Sequence, residues 1–347
     1  MTNGAPRVAL TLGDVAGIGP EVVVSSLADK RLRETCRPVV VGHPAVVARA
    51  QRQVGVELSF VDVASPTEID WSRSEIPCWN PSIDEVAQVP AGKIDARAGR
   101  AAYDYLVAAT RAALRGEIDA ITTAPLNKAA LHAAGLNFPG HTEILAHECG
   151  VHDFAMMLYL PPGEPLKGPA GLGVAHVTLH TSIQSVPGLL STKLIYETIH
   201  LVSNFLIQIG CSSPRIGVCA LNPHAGEEGL FGDEESRLIA PAVESAVQSG
   251  VNAIGPIPAD ALLRRAVQGE FDGVAAMYHD QGHIALKLIG FERAVNVTLG
   301  LPVVRTSPSH GTAFDIAWKG LARTEGFVEA VRTAVQLVRS RANSTAQ

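Results

Sequence analysis

Cysteine is scarce and scattered in this chain of 347 residues. Cys36, Cys78, Cys149, Cys211 and Cys219 are odd in number, and no two form a CxxC pair. That excludes a disulfide framework and fits a reducing, cytoplasmic setting. Long runs of Lys and Arg are also missing; the formal net charge is −6 and the pI is near 6.1. A nucleic-acid or anionic-membrane surface is therefore excluded as a partner. The opening stretch MTNGAPRVALTLGD lacks a charged leader followed by an apolar run, so no signal peptide is expected. The most apolar long stretch, Leu201–Gly210, is interrupted by Asn204 and Gln208. It is too short and too polar to cross a bilayer and reads as an amphipathic helix. There is no internal repeat and no low-complexity tract. Neither GxGxxG nor GxxxxGK[ST] occurs, so a Rossmann or Walker nucleotide site is ruled out.

What is present is a globular chain of 36.5 kDa, 47% hydrophobic and 18% charged. That is enough for one large or two medium domains, each with its own core. Short β-branched runs alternate with Ala/Leu-rich stretches. Strands are expected at 8–12, 38–41, 58–63, 120–123, 173–179, 216–220 and 273–277. Helices are expected at 20–28, 45–54, 96–115, 189–210, 234–249 and 326–341. This is an α/β pattern with a mainly parallel sheet. The segment 161–173, PPGEPLKGPAGLG, reads as a surface loop.

In such sheets ligands bind beyond the carboxyl ends of the strands. Five polar clusters follow strands here: GDVAGIGPE, TAPLNK, TLHTS, LNPHAGE and YHDQGH. Three of them carry a histidine just past an apolar run: His180, His224 and His279. Neutral imidazole is the commonest protein metal ligand, and three of them with open positions suit a catalytic divalent ion, zinc first. The bland alternative for each is a capping or hydrogen-bonding histidine. His176 lies four residues before His180 but inside the expected strand, so His180 is preferred. Asp260 and Asp280 are candidate proton acceptors, or carboxylates behind a metal-bound imidazole. Asp260 reads equally well as a helix N-cap. Lys287 and Arg305 sit in apolar surroundings, where a cation needs an anionic partner. That partner is either a substrate phosphate or carboxylate, or a structural salt bridge. The glycines 13, 17 and 19 either cradle a phosphate or simply turn the chain ahead of Pro20. The segment SPSHGTAFDIAWKG either binds a nucleotide through its backbone or is a loop.

Two of these segments resemble known signatures. GDVAGIGPEV resembles the GDGIGPEV signature of the isocitrate and isopropylmalate dehydrogenases, and HGTAFDIAWKG resembles their cofactor loop. A fuller likeness is to the 4-hydroxythreonine-4-phosphate dehydrogenase family of pyridoxal phosphate biosynthesis. It is carried by TAPLNKAAL, FPGHTEILA, LNPHAGEEGLFGDEE, GPIPADAL, YHDQGH and GFERAVNVTLGLPVVRTSPSHGTA, and spans residues 8 to 320.

The resemblance implies two α/β/α subdomains with a cleft between them, of the non-Rossmann isocitrate/isopropylmalate dehydrogenase type. The outer subdomain would be 1–135 with 305–347, carrying the cofactor loop; the inner, 136–304, would carry the metal ligands and the dimer interface. It implies that His180, His224 and His279 bind zinc, or magnesium or cobalt. It implies that His141, Thr142, Lys287, Asn296 and Arg305 bind substrate. NAD or NADP would be held by Gly13, Gly17, Gly19, His310, Gly311 and Asp315, and Asp280 or Asp260 would move the proton. A homodimer with metal ligands from both subunits is implied as well. Two departures stand out. The 161–173 loop is longer than the family's connection, and TLHTSIQSVP replaces a THLPL-type ending around His180.

The expected reaction is oxidation of the C3 hydroxyl of 4-phosphooxy-L-threonine by NAD(P), followed by loss of carbon dioxide from the β-keto acid, giving 3-amino-2-oxopropyl phosphate. A sibling dehydrogenase is the nearest alternative, acting on an erythronate or threonate 4-phosphate or on a cis-diol dicarboxylate. A binding protein that kept the fold without the activity is the alternative of another class.

Overall fold

A computed structural model describes residues 4–151 and 154–344. The chain divides into two units, Met1–His152 with Leu301–Gln347, and Asp153–Gly300. The first unit opens with β1 (Arg7–Thr11), β2 (Arg37–Val41), β3 (Phe60–Val63), β4 (Ile76–Trp79) and β5 (Ala120–Thr123). The second holds β6 (Ala155–Leu160), β7 (Leu172–His176), β8 (Ile216–Cys219), β9 (Ala253–Ile257), β10 (Gly273–Ala276) and β11 (Val295–Leu299). The chain then returns to the first unit for β12 (Val304–Pro308).

In the first unit the strand order is β3-β4-β2-β1-β5-β12, all parallel. The central strands β1 and β5 are buried on both faces, as parallel strands between helices must be. That is why RVALT and AITT read as continuous apolar or small runs rather than alternating ones. Helix 96–114 covers the sheet, and its first turn is capped by the Asp95 carboxylate, which accepts from the Arg97 N–H. Leu106, Leu131, Ile144, Leu145 and Val303 close one of its core clusters.

In the second unit the order is β11-β6-β7-β10-β8-β9. Strands β7, β10, β8 and β9 are parallel, and β6 runs antiparallel to both of its neighbours, β11 and β7. Leu158, Val174, Leu262, Phe271, Val274 and Leu286 lie in its core.

Five strands escape the sequence reading: β4, β6, β9, β11 and β12. For three of them the sequence explains this. AMMLYL in β6 is built of residues at home in helices, and IPCW and AIGPI carry prolines. The helix expected at 189–210 is present and slightly shorter. A short turn of helix at Val186–Leu189 precedes the helix Thr192–Gln208, which is capped by Ser191. The 234–249 helix begins as a wide π turn at Glu235–Ile239, ahead of Pro241 in the first turn of helix Ala240–Gln248. Proline lacks the N–H that a regular α turn would use there. No helix among the described residues is long and apolar enough to cross a membrane.

Candidate active site

In the first unit the loop after β1 meets two other loops. The Asp14 N–H donates to the Pro125 carbonyl at 2.9 Å, in TAPLNK, and the Ile18 N–H to the Thr312 carbonyl at 3.0 Å, in HGTAFDIAWKG. The approach to the second loop is close enough to require glycine. A Cβ on Gly17 would lie 2.8 Å from the Thr312 carbonyl oxygen. The buried Glu21 carboxylate then accepts from the Trp318 N–H at 2.5 Å and the Gly320 N–H at 2.7 Å. The Trp318 indole N–H donates to the Val15 carbonyl at 2.9 Å. The two segments expected to hold the cofactor, nearly 300 residues apart in the chain, are thus one structure. Gly13, Gly17 and Gly19 are buried within it; Gly311 and Asp315 are exposed and His310 half-buried. Desolvation pushes the His310 imidazole below its usual range.

Beside this loop assembly lies a buried cation. Arg305 on β12 is buried, and its Nη2 donates to the Thr123 hydroxyl at 2.7 Å on β5. Burial pulls the guanidinium down to about 10, opposed by the charge of Glu143. His141 opens helix 141–149; desolvation, and then the positive charge of Arg305, hold its imidazole well below the usual range. A neutral imidazole next to a buried guanidinium is a pair of donors suited to an anionic oxygen. Thr142 follows on the same first turn. Thr123 was not expected from the sequence. Its only signal is its place at the end of a buried strand.

In the second unit the ends of β7, β10 and β8 are stitched together. The Thr178 hydroxyl donates to the Met277 carbonyl at 2.9 Å. The Gln281 amide takes the Met277 N–H at 2.7 Å and gives its own N–H to the Ala220 carbonyl at 2.7 Å. His180 and His279 both line a cleft of about 410 Å³, together with Ser182, Tyr278 and Asp280. Their ring centroids are 5.8 Å apart. Two imidazoles that share one zinc ion, with nitrogens about 2.0–2.1 Å from it, place their ring centres roughly 5–6 Å apart. The His279 Nδ1 is 2.6 Å from the Asp280 carboxylate, which leaves Nε2 to face a ligand. A carboxylate on the far nitrogen is the arrangement that orients metal-bound histidines. The chemistry of this pair fits a divalent ion.

The third expected ligand does not join them. Among the described residues no three His, Cys, Asp or Glu side chains form a group that could hold a metal ion. His224 is exposed, in the loop after β8. From His224 to Glu228 five successive residues have positive φ. For the non-glycine members this costs about 1–2 kcal/mol each. The buried Glu235 carboxylate anchors the base of the loop, accepting from the backbone N–H groups of Leu221 and Asn222 at 2.8 and 2.7 Å. Strain held by a rigid anchor is common at functional sites.

Other expectations are revised by the structure. The polar cluster of His279, read from the sequence as a loop after a strand, instead opens helix 279–290, with His279 as its first residue. Asp260 is not an N-cap. Pro258 holds that position without a side-chain bond, and Asp260 lies exposed in the first turn of helix 259–267. Lys287, Asn296 and Arg305, expected to bind substrate, lie on three different elements. Lys287 is on the helix of His279, Asn296 on β11 opposite Leu158, and Arg305 on β12.

Comparison with known proteins places the chain. The family model for the pyridoxal phosphate biosynthetic protein PdxA matches residues 34–334. The chain belongs to this family. The D-threonate 4-phosphate dehydrogenase of Cupriavidus necator is 45% identical over 99% of this chain and 100% of its own length. The 4-hydroxythreonine-4-phosphate dehydrogenase of Geobacter metallireducens is 43% identical over 98% and 97%. The crystal structure of 4-hydroxythreonine-4-phosphate dehydrogenase from Klebsiella pneumoniae superposes with a TM-score of 0.83 at 41% identity, covering 96% of this chain and all of that one. A β-decarboxylating dehydrogenase from Thermococcus kodakarensis, 16% identical with a TM-score of 0.50, covers 94% of this chain and 81% of that one and shares the fold. The protein is therefore a dehydrogenase with the isocitrate/isopropylmalate dehydrogenase-like α/β fold. Membership in a dehydrogenase family implies a nicotinamide cofactor, and a small phosphorylated substrate is consistent with the relatives' names.

Proposed function

We propose that the protein oxidises the C3 hydroxyl of a four-carbon, 4-phosphorylated hydroxy acid with NAD or NADP, assisted by a divalent ion, zinc first. The observation that carries this is the His180–His279 pair over the cleft, with Asp280 behind His279. D-threonate 4-phosphate is the leading substrate, because the relatives bearing that name reach 45% and 44% identity. The amino analogue 4-phosphooxy-L-threonine, the substrate implied by the sequence motifs, is the second reading, favoured by a relative at 43%.

His180, His279 and His224 would hold the ion, which when bound supplies Lewis acidity toward the alcohol oxygen. Arg305, with neutral His141 and with Thr142, binds an anionic end of the substrate, and Lys287 and Asn296 serve its other polar groups. The alcohol proton passes to water as the C3 hydride leaves for the nicotinamide, while Asp280 holds the His279 ring through Nδ1. The product is a β-keto acid. Loss of its carboxylate gives dihydroxyacetone phosphate from threonate phosphate, or 3-amino-2-oxopropyl phosphate from the amino analogue. The loops around Gly13, Gly17, Gly19, His310, Gly311 and Asp315 hold the cofactor.

The active form in this reading is a homodimer whose metal site takes ligands from both copies. Large apolar side chains are exposed close in sequence to each expected ligand: Ile183 after His180, Leu230 and Phe231 after His224, and Ile284, Leu288 and Phe291 after His279. On the last helix Ile284 and Leu288 are one turn apart, with Leu288 83% exposed. Apolar faces of this kind mark contact surfaces. A second copy supplies a self-complementary cover.

The test is a substrate panel in which NAD(P) reduction and carbon dioxide release are followed with zinc, magnesium or cobalt, before and after chelation. D-threonate 4-phosphate is expected to give the highest kcat/KM. Full activity in chelated protein, or no turnover with either phosphorylated acid, contradicts the reading.

A further inference from the structure

Behind His279 lies a buried pair of histidines with no role so far. His283 follows His279 by four residues on helix 279–290, and so sits one turn along the same face. The two rings stack, with centroids 3.8 Å apart and planes 11° from parallel. His283 Nδ1 is 3.1 Å from Nε2 of His176, the last residue of β7. Both His176 and His283 are buried. The His176 ring fits against the helix only because residue 282 is glycine. A Cβ there would lie 2.5 Å from His176 Nε2.

Between two neutral imidazoles one nitrogen donates and the other accepts. The plane of His283 is fixed from the strand, and His283 is the surface on which His279 rests. A packing role alone would be served at lower cost by aliphatic side chains, which carry no polar atoms to desolvate.

We propose that His176 and His283 are positioning residues for His279: the hydrogen bond from β7 holds His283, and the stacked His283 ring holds the His279 imidazole in the orientation that presents Nε2 to the metal. This rests on the metal reading of His279 given above.

The test uses the full-length protein stripped of metal. Zinc affinity is measured by competition with a chromophoric chelator, and the thermal midpoint is recorded in EDTA. His283→Gln keeps a hydrogen-bonding group for His176 but loses the stack. His176→Leu/His283→Phe keeps a ring in the slot and leaves no polar atom unpaired. His176→Leu/His283→Leu removes both. The Gln variant and the leucine pair are expected to bind zinc roughly 10–100-fold more weakly than the unaltered protein, and the Leu/Phe pair within about threefold of it. The double variants remove both polar partners together, so their midpoints are expected to stay near that of the unaltered protein. Equal affinity in all four proteins overturns the proposal, and so does a Leu/Phe pair as weak as the leucine pair. If the leucine pair does not fold, His283→Gln against the Leu/Phe pair decides on the same terms. An unaltered protein that takes up no zinc overturns the metal reading instead.

Discussion

The two units treat their functional residues in opposite ways. In the first, three loops distant in sequence are tied together inside one chain: Glu21 to the backbone at Trp318 and Gly320, Ile18 to Thr312, Asp14 to Pro125, with the buried Arg305–Thr123 bond beside them. In the second, His180 and His224 stand exposed and His279 half-exposed, with apolar side chains around them open to solvent. The first unit joins its own loops; among the described residues the second brings no three His, Cys, Asp or Glu side chains together, which in the proposed reading is the work of a second copy. The lesson is that residues grouped in a sequence motif need not be grouped in space within one chain.

The largest effect that can break this comparison is on the histidines. His279→Ala and His224→Ala are each expected to lower kcat/KM roughly a thousandfold or more, as befits loss of a metal ligand, with circular dichroism unchanged. If His224→Ala stays within tenfold, the exposed histidine of the second unit is not part of the site. Next is Arg305→Lys, which trades a planar fork for a point charge at a buried position. It is expected to cost about 100-fold in kcat/KM for the phosphorylated acid, while leaving the KM for NAD within about threefold.

A pH effect sharpens the contrast from the first unit. Burial, and then the charge of Asp95, push the Asp14 carboxyl up to about 6 against the backbone bond from Ala16, and its Oδ2 has no hydrogen-bond partner among the described residues. The folded chain holds this proton at a pH where the unfolded chain has lost it. Stability is therefore lost as pH rises from about 4 to about 6. Asp14→Asn is expected to raise stability at pH 7.5 by about 2 kcal/mol and to give no gain at pH 4. Denaturant unfolding at the two pH values checks this, and a gain of equal size at both contradicts it. The smallest effect is that of Glu21→Gln. Each carboxylate oxygen accepts one backbone N–H, and the amide can accept only one of the two. About 1.5 kcal/mol of stability is expected to go, with the KM for NAD rising several-fold. No change in either would separate the loop junction from the cofactor.

The same division explains what was legible beforehand. β1, β5 and the 96–114 helix follow from apolar runs and one capping aspartate, because their causes lie within a few residues. Strand β6 does not, because AMMLYL becomes a strand only between β7 and β11. In the site, the histidine, arginine and glycine motifs carried their chemistry visibly. What holds them did not. Gln281 acts on Ala220, Thr123 on Arg305 and His176 on His283, across 61, 182 and 107 residues. His176 read as a strand residue, which it is; its partner on the next layer was invisible without the packing.

Subunit mixing tests most directly the claim that the second unit's site is shared between two copies. His224→Ala and His279→Ala proteins, each inactive alone, are unfolded together, refolded at equal amounts and assayed for NAD reduction. If the two histidines meet across a twofold interface, half the dimers are mixed and each mixed dimer keeps one intact site, so about one quarter of the unaltered activity returns. If both histidines serve a site within one chain, no mixed dimer has an intact site, and activity stays at the level of the separate variants.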